Sequence, residues 1–156
     1  MISVDIPGFG AVKIKHLVCD YSGTLSVDGE LLEGLKEILN AFSNRIDIHI
    51  LTADTHGKAG SQLKDIKCRF KIIEGDNQHF QKEKYVRELG ANNVFAIGNG
   101  NNDTMMISAA RVGVAVCLNE GVSAMAINHA DIVVNSIEDA FGLLLYPDRL
   151  KASLRF

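Results

Sequence analysis

The 156-residue chain has no apolar run near the roughly 20 residues that a membrane span requires. Its first residues lack a basic segment followed by an apolar core, so no signal peptide is expected. Cys19, Cys68 and Cys117 are scattered, without a Cys-x-x-Cys pair. Cys19 and Cys117 fall in or beside apolar strands, which predicts buried thiols rather than ligands or disulfide partners. His16, His49, His56, His79 and His129 show no ligand spacing; His16 and His49 fall in predicted strands and read as structural, while His56 and His79 flank the predicted site. There is no repeat, low-complexity tract or linker. The net charge of -3 argues against nucleic acid or an anionic membrane as partner. These absences predict a cytoplasmic protein.

What is present is ordinary for a globular chain: 47% hydrophobic and 22% charged residues, in a length suited to one domain over residues 1–156. The stretch from Ile14 to Leu25 organises the rest. An apolar run ends at Asp20, and Tyr21-Ser22-Gly23-Thr24 turns at once. A short buried strand that stops at a carboxylate presents it at the carboxyl edge of a sheet, where open α/β sheets bind ligands. Asp20 is therefore either a turn cap or the group that other functional residues serve.

Ile2, Val4 and Ile6 alternate with polar residues up to Pro7-Gly8-Phe9-Gly10, which predicts a hairpin running on into the Asp20 strand. Asp28-Gly29 between apolar residues predicts a second, tight hairpin. Helical spacing of Leu32, Leu35, Ile38, Leu39 and Phe42 follows, then a strand over 45 to 51 that ends in Thr52-Ala53-Asp54-Thr55. The pattern predicts helices over 57 to 66 and 80 to 89, with Tyr85, Val86 and Leu89 on one side of the latter. It predicts strands over 69 to 73 and 93 to 97, the latter followed by Gly98-Asn99-Gly100-Asn101-Asn102-Asp103. Beyond come a helix through Met105, Met106 and Ala109, a strand over 112 to 116, a helix over 122 to 127, a strand over 132 to 134 and a helix over 137 to 145. Alternation of this kind predicts a parallel sheet with helices on both faces. The segments 26 to 45 and 55 to 80 are used up by these elements, so no cap domain is expected. The tail from Tyr146 to Phe156 reads as a strap over its own sheet, with an oligomer contact as the alternative.

Three predicted strands end in polar clusters: at Asp20, at Thr52-Ala53-Asp54 and at Gly98 to Asp103. In a parallel sheet these ends share one edge. Two carboxylates from different loops can hold Mg²⁺, a hard cation that takes few protein oxygens and keeps several waters. Thr52 offers a hydroxyl to phosphate oxygens and Lys82 a positive charge. Read alone, Gly98 to Asp103 could equally be a turn with a helix cap, and Lys82 a solvated lysine.

Taken together and in this order, the clusters resemble the haloacid dehalogenase-like phosphohydrolases over nearly the whole chain. That family has Asp-x-Asp-Gly-Thr after its first strand, then a Ser or Thr, a Lys, and a Gly-Asp-Gly-x-x-Asp loop. Here stand Asp20-Tyr21-Ser22-Gly23-Thr24, Thr52, Lys82 and Gly98-Asn99-Gly100-Asn101-Asn102-Asp103. Lys82-Glu83-Lys84-Tyr85-Val86 and Thr52-Ala53-Asp54 look like the corresponding motifs of the P-type ATPase phosphorylation domain, so the resemblance is nearest to soluble, capless members of that branch. It implies a three-layer α/β/α Rossmann-like fold and a Mg²⁺-dependent phosphohydrolase forming an aspartyl-phosphate on Asp20. Catalysis would fall to Asp20, Thr52 and Lys82; metal binding to Asp20, the Ser22 carbonyl, Asp103 and Asn99; phosphate binding to Gly23, Thr24, Thr52, Ala53 and Lys82. The partner would be a small phosphorylated substrate or a phosphoprotein. Two residues depart from the pattern. Ser22 replaces the second Asp, the usual acid/base, and Asn99 replaces an acidic metal ligand. A low-turnover phosphate- or nucleotide-binding regulator of the same fold is therefore the alternative.

Overall fold

The computed structural model describes residues 1–54 and 56–156; Thr55, expected in the polar cluster after the second central strand, lies outside them. The chain opens with strands β1 (Ile2–Ile6) and β2 (Gly10–Ile14), paired antiparallel as the expected hairpin. Next come β3 (His16–Asp20), the two-residue strands β4 (Ser26–Val27) and β5 (Glu30–Leu31), and helix α1 (Leu35–Phe42). Strand β6 (Asp47–Thr52), helix α2 (Ala59–Leu63), strand β7 (Arg69–Ile72) and helix α3 (Gln78–Glu88) follow. The second half holds β8 (Val94–Gly98), α4 (Thr104–Ala109), β9 (Val112–Val116), α5 (Ala124–His129), β10 (Ile132–Val134), α6 (Ile137–Leu145) and α7 (Pro147–Leu154).

Six strands form one parallel sheet in the order β10-β9-β8-β3-β6-β7. Side-chain alternation divides the core in two. Leu17, Cys19, Ile48, Ile50, Phe95, Ile97 and the valines of β9 point to one face. There they meet Leu35, Leu39 and Phe42 of α1, Ala59 and Leu63 of α2, and Phe141 and Leu144 of α6. Val18, Leu51, Val94, Ala96 and Ala115 point to the other face, against Val86, Met106, Ile107 and Ala126 of α3, α4 and α5. Strands buried on both sides read as continuous apolar runs, which is why β3, β8 and β9 are so apolar. The chain steps from β3 to β6 and β7 with helices on one face. It then returns beside β3 and steps outward to β9 and β10 with helices on the other. A reversal of strand order with crossovers of one hand forces this exchange of faces. It also leaves a crevice at the carboxyl ends of β3, β6 and β8.

Local chemistry sets the element ends. Asp28 (φ 52°) and Gly29 (φ 80°) both take positive φ, the two-residue turn that the right-handed twist of a hairpin favours. The α2 segment is shorter than expected because Gly57, at φ 66°, cannot be helical, so the helix begins only at Ala59. Ser123 and Ser136 cap α5 and α6, accepting hydrogen bonds from the amides of Ala126 and Asp139.

The tail packs on its own chain, and it does so as a helix. It forms α7, with Leu150 and Leu154 buried in the same core as Ile2 and Ile6 of the N-terminal hairpin. The amide of Phe156 donates to Pro7 O at 3.2 Å. Pro147 at the first turn supplies a φ already suited to a helix start. Among the described residues no helix is long and apolar enough to cross a membrane.

Candidate active site

Asp20 ends β3 between the two neighbouring strands and is 5% exposed. Its parity along β3 aims it at the α3 face, where Lys82 is fully buried. The Lys82 ammonium donates to Asp20 Oδ1 at 2.7 Å and to Asp103 Oδ1 at 2.7 Å. The second Asp103 oxygen accepts from the amides of Asn99 (3.0 Å) and Gly100 (2.9 Å), folding the Gly98–Asp103 loop around the carboxylate. Gly98 permits this approach: a Cβ there would stand 2.5 Å from Asp103 Cβ.

Three buried ionisable groups, two acids and one base, carry more acid than base in a site that water barely reaches. Burial and the Asp103 charge push the Asp20 pKa up to about 7, against the pull of Lys82. Burial opposes the Lys82 charge, yet Asp103 and Asp20 overcome it and hold the ammonium protonated well above its ordinary range. Such a donor set, carboxylate oxygens with surplus negative charge, fits a hard divalent cation. Asp20 and Asp103 would hold it through carboxylate oxygen lone pairs that Lys82 and the loop amides leave over.

Thr24, fully buried, has one hydroxyl proton and two acceptors within reach, Asp20 Oδ2 at 3.4 Å and Asn99 Oδ1 at 3.2 Å. Asn99 also donates through Nδ2 to Gly121 O at 3.1 Å, and its backbone carbonyl accepts from the Ser123 amide at 2.8 Å. Asn99 thus braces three loops, with its Oδ1 facing the Thr24 hydroxyl. Gly23 (φ 75°) lies against the same side chain, since a Cβ would approach Asn99 Nδ2 to 2.3 Å.

Two amides of the expected phosphate cradle have partners inside the turn. The Gly23 amide donates to Ser26 O (2.9 Å) and the Thr24 amide to Tyr21 O (3.2 Å), so both are spent within the turn that aims Asp20. Tyr21, buried under the turn, anchors it by donating to Gly29 O at 3.0 Å. Thr52 ends β6, one residue beyond Leu51, the partner of Asp20 across the strands. Its Oγ1 accepts from the Asp54 amide at 2.9 Å, which leaves the hydroxyl proton to donate. Ala53 follows at the same edge, half-buried. Asp54 turns away: its carboxylate accepts from the Ala59 amide at 3.0 Å, at the start of α2. Ser22 sits half-buried at the mouth of the turn.

Beside the Gly98–Asp103 loop lies an open cleft of about 510 Å³, lined by Asn77, Gln78, His79, Asn101, Asn102 and Met125 among others. Gln78 and Asn102 are joined across it at 3.0 Å. Asn101 and Asn102 belong to the Gly98–Asp103 motif and His79 is expected to flank the site, but sequence reading gives Asn77, Gln78 and Met125 no role. The first residues of α3 and the residues of the turn before α4 share no sequence periodicity, and only the packing of α3 against α4 brings them together.

No family model matches the chain. The uncharacterized protein MJ0073 of Methanocaldococcus jannaschii is 41% identical over 83 residues, which cover 51% of this chain and 89% of that protein. A second protein of that organism, the uncharacterized MJ0072, is 44% identical over 39 residues, 25% of this chain and 89% of its own length. Among solved structures, the cobalt-bound deoxy-D-mannose-octulosonate 8-phosphate phosphatase of Haemophilus influenzae superimposes with a TM-score of 0.68 at 14% identity, covering 91% of this chain and 90% of that one. The 3-deoxy-D-manno-octulosonate 8-phosphate phosphatase of Moraxella catarrhalis, in complex with a magnesium ion, a phosphate ion and a KDO molecule, gives 0.67 at 18% identity over 91% and 94%. The chain belongs to one family with MJ0073, and its architecture is the haloacid dehalogenase-like fold.

Proposed function

We propose that the protein is a Mg²⁺-dependent phosphohydrolase that works through a phosphorylated Asp20. The observation that carries this reading is the buried Asp20–Lys82–Asp103 cluster at the carboxyl edge of β3, with Asp20 held at 2.7 Å from a lysine it shares with a second acid. The phosphatases of like fold that hold cobalt or magnesium support it. A bound Mg²⁺ would supply positive charge against the nucleophile and the phosphate.

The chain's own residues do the rest. An Asp20 oxygen forms a bond to phosphorus while the bond to the leaving oxygen breaks. Lys82 and the Thr52 hydroxyl hold equatorial phosphoryl oxygens, with the Ala53 amide beside them. The leaving oxygen takes a proton from solvent; water then attacks phosphorus and gives up a proton to solvent as the bond to Asp20 breaks and the carboxylate is restored. The open cleft walled by Gln78 and Asn102 takes the rest of the substrate, a small phosphorylated molecule rich in hydrogen-bonding groups. A likeness to the P-type ATPase branch remains part of the proposal; it rests on Ser22, on Thr52 to Asp54 and on Lys82 to Val86.

Ser22 favours a second reading, a binding protein with little turnover, because a serine hydroxyl cannot act as acid and base near neutral pH. One assay separates the two: hydrolysis of p-nitrophenyl phosphate and acetyl phosphate with Mg²⁺, wild type against Asp20→Asn. Hydrolysis that needs both Mg²⁺ and Asp20 establishes the enzyme; phosphate binding without hydrolysis establishes the regulator.

A further inference from the structure

A second cluster lies at the opposite, amino end of the same strands. His16 opens β3 and Asp47 opens β6, and the two are direct partners across the parallel pair. His49 stands two residues beyond Asp47, opposite Val18, so all three share the α3 face. His16 Nδ1 lies 3.2 Å from His49 Nε2 and 3.6 Å from Asp47 Oδ2, and the three donor atoms fall within 4.8 Å of one another. Ligands of a tetrahedral zinc ion, at roughly 2.0 to 2.2 Å from the metal, stand about 3.4 Å apart, so both separations from His16 Nδ1 already suit one ion, and the third pair is within 4.8 Å.

We propose that His16, Asp47 and His49 form a binding site for a borderline-soft divalent cation of the zinc type, a clamp between β3 and β6 remote from the carboxyl edge. Three further observations fit. The second His49 nitrogen, Nδ1, lies 2.9 Å from the hydroxyl of Tyr85 on α3, the outer partner that fixes the ring of a metal-bound histidine. Burial lowers both imidazoles, His49 to about 4, so both are neutral at pH 7, the form a metal takes. His49 is fully buried while Asp47 is 58% exposed, so the site is anchored on one side and open to solvent for a fourth ligand. Two neighbouring cations oppose metal binding: Arg69, which pairs with His49 across β6 and β7, and Lys15, which precedes His16.

The test is calorimetric titration of zinc chloride into the full chain, stripped with chelator and supplied with Mg²⁺ to fill oxygen-only sites. One zinc ion per chain is expected, bound equally by wild type and Asp20→Asn, with the His16 and His49 imidazole ¹⁵N resonances shifting on addition. His16→Gln and Asp47→Asn should each weaken binding by roughly tenfold or more, and Tyr85→Phe by roughly tenfold. Asp47 is exposed, so Asp47→Asn keeps the fold and isolates the ligand. No zinc uptake, or uptake lost in Asp20→Asn but kept in Asp47→Asn and His16→Gln, overturns the proposal and leaves the pair as a packed histidine hydrogen bond.

Discussion

Asp20 reports its surroundings through its titration. Its pKa stands at about 7 in the fold against 3.8 as a free side chain. Between those values the folded chain binds more protons at this position than the unfolded one, so its contribution to stability falls as pH rises through that window. Asp20→Asn cannot titrate. It should therefore gain on the wild type from pH 5 to pH 8 in urea unfolding with chelator present, by about 1 to 4 kcal/mol. A gap equal at both pH values would mean that Asp20 ionises freely. The same variant should lose all phosphohydrolase activity. Lys82→Met leaves two buried acids facing each other and should cost about 3 to 5 kcal/mol, read by the same unfolding measurement. Ser22→Asp supplies the missing acid and base, a group worth roughly 10² to 10⁴ in rate. It should raise turnover of alkyl phosphates and shorten the life of the phosphorylated protein, followed by intact mass after mixing with acetyl phosphate and Mg²⁺. Unchanged turnover would place the acid/base elsewhere.

At the scale of elements, the site depends on how one strand hands over to one loop. β8 ends at Gly98, and the loop returns so tightly that Asp103 packs on that glycine before α4 begins. Gly98→Ala should displace the Asp103 carboxylate from Lys82 and lower kcat by about 10²-fold, the usual cost of shifting a catalytic group by about 1 Å. A variant that folds, by circular dichroism, and keeps full kcat would remove Asp103 from the machinery. Helix α3 has the second such role. Lys82 and Tyr85, three residues apart, lie on its inner side, one reaching Asp20 and the other His49. The expected helix over 80 to 89 already places Tyr85 and Val86 inward. Its true start at Gln78, after Asn77 at φ 59°, is what brings Gln78 to Asn102.

At the scale of the whole molecule, the two ends of the chain close one face together. The β1–β2 hairpin packs beneath α7, and Arg111 ties the hairpin to the start of β9 by donating to Phe9 O at 2.8 Å and lying over the Phe9 ring at 4.2 Å. Leu150→Ala opens a cavity in this joint and should cost about 2 to 5 kcal/mol in urea unfolding with KM unchanged. A raised KM would mean that α7 communicates with the cleft.

The sequence by itself determined the layered α/β architecture, because buried parallel strands need continuous apolar runs and their crossovers need amphipathic helices. It also determined that Asp20, Thr52 and the Gly98–Asp103 loop share an edge, since all strands of a parallel sheet end on the same side. It could not determine which amides of the Asp20 turn are free, because a turn's internal bonds depend on dihedral angles that many sequences share. Nor could it show Asn99 bracing Thr24 and Gly121, or the tail as a helix against the first hairpin. His16, Asp47 and His49 make the point most sharply. Along the chain His16 is remote from the other two and no ligand motif joins them. Only the register of β3 against β6 makes His16 and Asp47 neighbours, and register is a property of the assembled sheet.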